Sequence, residues 1–133
     1  MQTTLNIKDE SMFGLGAPDF SFTLNFPSNR VTVRELIEER VREEVGNYNS
    51  AQPEVFRGLV QPTHSERVLN GFKLKEKKQI VWREQYENAV AAFERNGFIV
   101  LVDDLQVEDL NQIIELEAKP SVTFLKLVPL VGG

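Results

Sequence analysis

Residues 19–46 read DFSFTLNFPSNRVTVRELIEERVREEVG, and two periodicities meet inside them. From Asp19 to Phe26, the residues Phe20, Phe22, Leu24 and Phe26 alternate with Ser21, Thr23 and Asn25. Successive side chains of a strand point to opposite faces, so this is a half-buried strand with one apolar face. Three Phe on that face imply a large partner, most simply a helix lying across the sheet. Pro27, Ser28 and Asn29 are turn residues that end the strand. At Thr32 the period changes. Thr32 and Glu35 have capping-box spacing: the hydroxyl reaches the amide three residues on, and the carboxylate reaches back. Val33, Leu36, Ile37, Val41 and Val45 make one apolar stripe at helical spacing. Glu38 and Arg42 stand four apart in the favourable order. Gly46 is a natural stop. The pattern predicts a helix over about 33–45 that covers the Phe face.

On the amino-terminal side, the first strand is either Thr3 to Ile7 or lies nearer Phe13. Ser11 to Pro18 holds two glycines and a proline and reads as a loop. On the carboxyl-terminal side, Asn47 to Gln79 is irregular, with Pro53, Pro62, Gly58 and Gly71. So long a connection in a small domain is often functional. Lys73, Lys75, Lys77 and Lys78 form a basic cluster, read as a solvated edge or the start of the next helix rather than a nucleic-acid site. The single histidine, His64, stands beside Ser65 and Glu66. Triads assemble from distant parts of a fold, and no further ligands stand at metal spacing, so His64 is read as a loop residue.

A second helix is expected from about Lys77 to Asn96. Val81 or Trp82, Tyr86, Ala89, Val90 and Phe93 give its face, and Gly97 its stop. Trp82 and Tyr86 either pack into the core or form an interface. Phe98 to Val102 (FIVLV) is a strand expected to be buried on both faces. Asp103-Asp104 is a tight turn, and Leu105 to Val107 returns antiparallel. Glu108 to Leu116 is expected to hold one helical turn and a connection. Lys119-Pro120-Ser121 is a turn. Val122 to Val128 is the last strand, and Pro129 stops its ladder.

The 133 residues fit one domain able to bury a core, with 41% hydrophobic residues and nine Phe. Twenty acidic residues against 15 basic give a net charge of −5, which argues against a nucleic-acid binder. There is no cysteine, which removes disulfides, thiolate metal sites and cysteine nucleophiles together. The first residues, MQTTLNIKDE, lack the pattern of a secretion signal, and no apolar run approaches about 18 residues. A cytoplasmic protein that spans no membrane is the expectation. No constellation of nucleophile, base and orienting group emerges, so no catalytic residue, cofactor or metal is expected.

The chain closes on VTFLKLVPLVGG. At ordinary glycine usage of roughly 7%, a terminal Gly-Gly arises by chance in about 0.5% of chains, so the pair invites a chemical explanation. The order of strand, capped helix, strand, tight turn, short strand, one-turn helix and final strand before Gly-Gly resembles the β-grasp fold of ubiquitin-like proteins. Phe98 to Gly133 looks like the carboxyl-terminal half of ubiquitin. The ending is also similar to the sulfur-carrier branch, the small subunit of molybdopterin synthase and its thiamine-pathway relative. The likeness covers about Asp19 to Gly46 and Phe98 to Gly133. The segment from Asn47 to Gly97 has no counterpart in either family, and the stub lacks the arginines of the ubiquitin tail.

The resemblance implies an α+β, ubiquitin-like β-grasp domain over 1–133. Its mixed sheet carries a covering helix, an inserted loop-and-helix segment at about 47–97 and a tail at 129–133. It implies a modifier of prokaryotic type, not itself an enzyme. Its Gly133 carboxylate is adenylated by an activating enzyme that uses ATP, then conjugated to a target protein. A conjugating enzyme and a deconjugating peptidase are the further partners implied; nucleic acid and membrane are not. Gly132 and Gly133 are the conjugation site, and Leu127, Val128, Pro129, Leu130 and Val131 the partner-binding tail. Glycine suits a narrow channel because it lacks Cβ, and Pro129 keeps the stub extended and out of the sheet. Two alternatives stand beside this: a sulfur carrier forming a carboxyl-terminal thiocarboxylate, and a non-conjugated β-grasp binding module.

Overall fold

The computed structural model describes residues 2–11, 20–68, 71–76 and 78–127. The first strand, β1, spans Thr3–Ser11. Leu5, Ile7 and Asp9 turn inward from it at period two. It pairs antiparallel with β2, Phe20–Phe26, with Leu5 opposite Leu24 and Ile7 opposite Phe22. Of the two expected positions for the first strand, Thr3 to Ile7 is therefore the observed one, longer by four residues. The alternative near Phe13, and the expected loop beyond Ser11, lie outside the described residues. On β2, Leu24 and Phe26 are buried, Phe22 is half-buried and Phe20 is 36% exposed. Cover over the Phe face is complete at one end and runs out at the other.

Arg30–Thr32 forms β3, a strand the sequence reading did not anticipate. It pairs antiparallel with β8, Ile113–Glu115, where a helical turn was expected. The reason is period two: Ile114 and Leu116 turn inward on alternate positions, whereas Ile113 is 53% exposed. Helix α1, Val33–Ala51, starts on the capping box. Thr32 Oγ1 accepts from the Glu35 amide at 3.0 Å, and Glu35 Oε1 accepts from the Thr32 amide at 2.9 Å. Val33, Leu36, Ile37, Val41 and Val45 are all buried. Each large aliphatic side chain so buried contributes about 1.5–3 kcal/mol. The expected stop at Gly46 is overrun, because the buried stripe continues to Tyr48 and Gly46 faces open space. Gln52 ends the helix in the left-handed region, at φ 42°.

The segment after α1 carries structure of its own. β4, Ser65–Val68, pairs antiparallel with β5, Gly71–Leu74, and Phe56 bridges to Phe72. Gly71 sits at φ 151°, with the Phe56 carbonyl where a Cβ would lie, which excludes other residues. Helix α2 spans Trp82–Glu94, starting later than expected. Residues 78–81 are instead held extended: Asn49 Nδ2 donates to the Ile80 carbonyl (2.9 Å), and Asn49 Oδ1 accepts from the Ile80 amide (2.8 Å). Gln85, Ala89, Ala92 and Phe93 are buried on α2. Trp82, not Val81, turns toward α1, with the Arg42 guanidinium 3.7 Å from its ring centre.

β6, Phe98–Val102, and β7, Leu105–Val107, form a hairpin across Asp103 and Asp104. Both turn residues are left-handed, at φ 50° and 66°, as a tight primed turn requires. Phe98 and Val100 are buried, but Ile99, Leu101 and Val102 are half-buried, so β6 is fully covered on one face only. The last strand, β9, spans Val122–Lys126 and stops two residues earlier than expected.

The five principal strands lie in the order β2-β1-β9-β6-β7. β9 runs parallel to β1 and antiparallel to β6. The fold is α+β, a mixed sheet with two helices. One core cluster joins Leu5, Leu24, Leu36, Val100 and Phe124 to Phe56, Leu59, Phe72 and Phe93 of the added segment. Among the described residues, no helix is long and apolar enough to cross a membrane.

Candidate functional site at the end of the last strand

The residues singled out from the sequence all follow β9. Leu127 is half-buried and irregular, directly after Lys126. Val128, Pro129, Leu130, Val131, Gly132 and Gly133 lie outside the described residues. The structure therefore defines the foot from which that segment leaves, and the foot is unusual. It is a cluster of four charged side chains drawn from three elements, with Asp9, Arg40 and Glu44 inside and a half-buried Lys126 at its margin.

Asp9 comes from the inward face of β1, Arg40 and Glu44 from α1, and Lys126 from the end of β9. Arg40 is 1% exposed. Its two terminal nitrogens donate to the two oxygens of Asp9, Nη2 to Oδ2 at 2.7 Å. Its Nε donates to Glu44 Oε2 at 3.2 Å. The guanidinium lies between two rings, 4.9 Å from the centre of Phe22 and 4.6 Å from that of Phe124. A planar cation with five donors suits this fork-and-stack arrangement where a lysine would not. Lys126 Nζ stands 3.6 Å from Asp9 Oδ2 and donates to the Gly58 carbonyl at 3.2 Å. The Leu59 amide donates to Glu44 Oε1 at 3.1 Å. Two cations and two carboxylates cancel, and among the described residues no buried side-chain polar atom lacks a partner.

The electrostatics follow from burial. Burial works against the charge on Arg40, but Glu44 and Asp9 more than offset it, and its pKa is raised. Burial pushes the Glu44 carboxyl above its ordinary range, with Arg40 and the Leu59 amide pulling part of the way back. Burial also lowers the Lys126 ammonium, with Asp9 acting in the opposite direction. The cluster ties the added segment, through Gly58 and Leu59, to the end of β9.

Sequence reasoning missed Asp9, Arg40 and Glu44. The signal was present: Asp9 continues the Leu5, Ile7 alternation, and Arg40 and Glu44 lie beside the Leu36, Ile37, Val41, Val45 stripe. A charge in register with a buried face calls for a buried partner of opposite sign. The other sequence candidates are not brought to this site. His64 is exposed, at φ 57° in the corner before β4, in keeping with a loop residue. Lys73, Lys75 and Lys78 are exposed on and after β5, while Lys77 lies outside the described residues. Among the described residues, no group of His, Asp and Glu could hold a metal ion.

A cleft of about 710 Å³ opens beside the cluster. Phe20, Phe22 and Thr23 of β2 form one wall, Tyr48 and Ala51 of α1 another, and residues 53–57 the third. The chain matches no family model, no curated protein and no solved structure.

Proposed function

We propose that this chain is a ubiquitin-like β-grasp protein that serves as a protein modifier, with the Gly133 carboxylate as the group transferred. The observation that carries the reading is the position of β9. It lies in the middle of a mixed sheet, parallel to β1, under a capped helix, and it leads directly into the apolar segment that closes on Gly-Gly. A hairpin on either side of the parallel pair, together with α1 over the buried face, supports the β-grasp assignment. The four-charge cluster supports the role of the tail, because it fixes the end of β9 against α1 and the added segment. The last described strand thereby ends at a fixed position, Lys126, just before the residues that would enter a partner's channel.

The chemistry belongs to partners. An activating enzyme brings the Gly133 carboxylate to the α-phosphate of ATP, giving the acyl adenylate and releasing pyrophosphate. A thiol of that enzyme displaces AMP, and a lysine amine of the target displaces the thiol, leaving an amide and one proton. The chain has no cysteine with which to hold a thioester itself. Intact-mass spectrometry after incubation with ATP and a cognate activating enzyme tests the reading. Attachment of the whole chain to an amine through Gly133 is the expected outcome. Replacement of one carboxylate oxygen by sulfur, with a sulfur donor present, would assign it to the sulfur carriers instead. An unaltered mass under both conditions would leave a binding module.

A further inference from the structure

β2 forms one outer edge of the five-stranded sheet. Its seven residues contain no charge and no proline. Soluble proteins commonly guard such an edge with charges, proline, bulges or a very short strand. The opposite edge follows that rule, since β7 has only three residues. β2 does not. Beside it lies the apolar cleft, and Phe20 at its mouth is one of the exposed large hydrophobic residues of the described structure. The exposed charges lining the cleft are Glu43 and Arg57, one of each sign, and Arg57 lies over the Phe20 ring at 4.9 Å. Arg40 and Glu44 beneath are paired to each other.

We propose that β2 pairs antiparallel with β2 of a second copy, joining two sheets into one across a twofold axis. A twofold contact requires a surface complementary to itself. The strand meets that demand when the axis passes through Thr23. All seven residues then pair: Phe20 opposite Phe26, Ser21 opposite Asn25, Phe22 opposite Leu24 and Thr23 opposite its own copy. One face of the ladder is entirely aromatic and aliphatic, the other entirely hydroxyl and amide. No charge meets a like charge. Any other centre shortens the ladder. The partner subunit also extends the wall of the cleft and covers Phe20, where the cover supplied by α1 runs out.

Thr23 is exposed and alternates with the inward Phe22 and Leu24, so changing it leaves the core alone, although it borders the cleft. The test is the mass in solution of the full chain at about 100 µM, by light scattering or sedimentation, a range that reports micromolar association. Wild type is expected to be a dimer. Thr23→Lys and Thr23→Glu each set like charges face to face on the axis, and each is expected to weaken the dimer roughly two- to fivefold. An equimolar mixture of the two variants is expected to recover a dimer containing one of each. A monomeric wild type, or a Thr23→Lys variant that dimerises as wild type does, overturns the proposal. Failure of the mixed variants to pair overturns the Thr23 axis. Recovery in the mixture also shows that both variants are folded.

Discussion

Arg40→Met is the sharpest single perturbation of the foot of β9. It removes the guanidinium while keeping most of the apolar stem. Asp9 and Glu44 then remain with side chains 9% and 10% exposed, and Lys126, 3.6 Å from Asp9, is their one nearby cation. Removing one member of a buried ion pair costs about 3–5 kcal/mol, chiefly because the other charge is stranded. Losing the contacts with the Phe22 and Phe124 rings adds about 1 kcal/mol. Lys126 offsets part of the total, which sets the expected loss at about 3–4 kcal/mol, a large share of the stability of an ordinary domain. Urea unfolding followed by the fluorescence of Trp82, the single tryptophan, measures it. The loss should shrink as the pH falls and the Glu44 carboxyl, which burial already raises, takes up a proton. Adding Asp9→Asn and Glu44→Gln to Arg40→Met should restore at least half of it. A loss below about 1 kcal/mol for Arg40→Met at neutral pH would refute the cluster as a stabilising unit.

Three further changes follow from the same physical arguments. Burial raises the Glu44 carboxyl above 4.5, so just above that value the native state holds a proton that the unfolded chain has released. Stability from this group therefore falls as pH rises through that window. Glu44→Gln should lack that slope, so the slope appears in the difference between wild type and variant, and urea midpoints measured across mildly acid pH check it. Gly71→Ala puts a Cβ 2.4 Å from the Phe56 carbonyl oxygen at φ 151°. It should destabilise the β4–β5 hairpin by about 1–3 kcal/mol, read as faster amide exchange at Phe56 and Phe72 with β1 and β9 unchanged. Thr32→Ala removes the hydroxyl half of the capping box and should cost about 1 kcal/mol by thermal or urea unfolding.

Where one periodicity ran unbroken, the sequence was a sufficient guide. The alternation of β2, the capped start of α1 and the Asp103-Asp104 turn were all readable, because local sterics and hydrogen bonds decide them. Termini read from glycine were less secure. Gly46 did not stop α1, since a buried Tyr48 two residues on outweighs the small propensity cost of an exposed glycine. β3 and β8 were missed because each has three residues and exists only through the other, 81 to 85 positions away in the register. The α2 start was misplaced because Asn49, thirty-one residues earlier, holds Ile80 extended. The buried cluster was legible only in part: the charges lying in register with buried faces could be read, but their pairing could not. Asp9, Arg40, Glu44 and Lys126 are ordinary surface residue types one at a time, and only the register of β1 against β9 under α1 makes them a unit.

The proposed role makes Gly133 the acyl donor of an amide bond. Lys126 is the last lysine, and no arginine follows it. Trypsin therefore leaves the remnant Leu127–Gly133, LVPLVGG, on any acceptor lysine of a modified protein. Tandem mass spectrometry of tryptic peptides from cells expressing the tagged chain should find that remnant on lysine side chains. Deleting Gly132 and Gly133 should abolish every such adduct. Lysines bearing no remnant when the activating enzyme is present, or adducts that persist after the deletion, would contradict the claim.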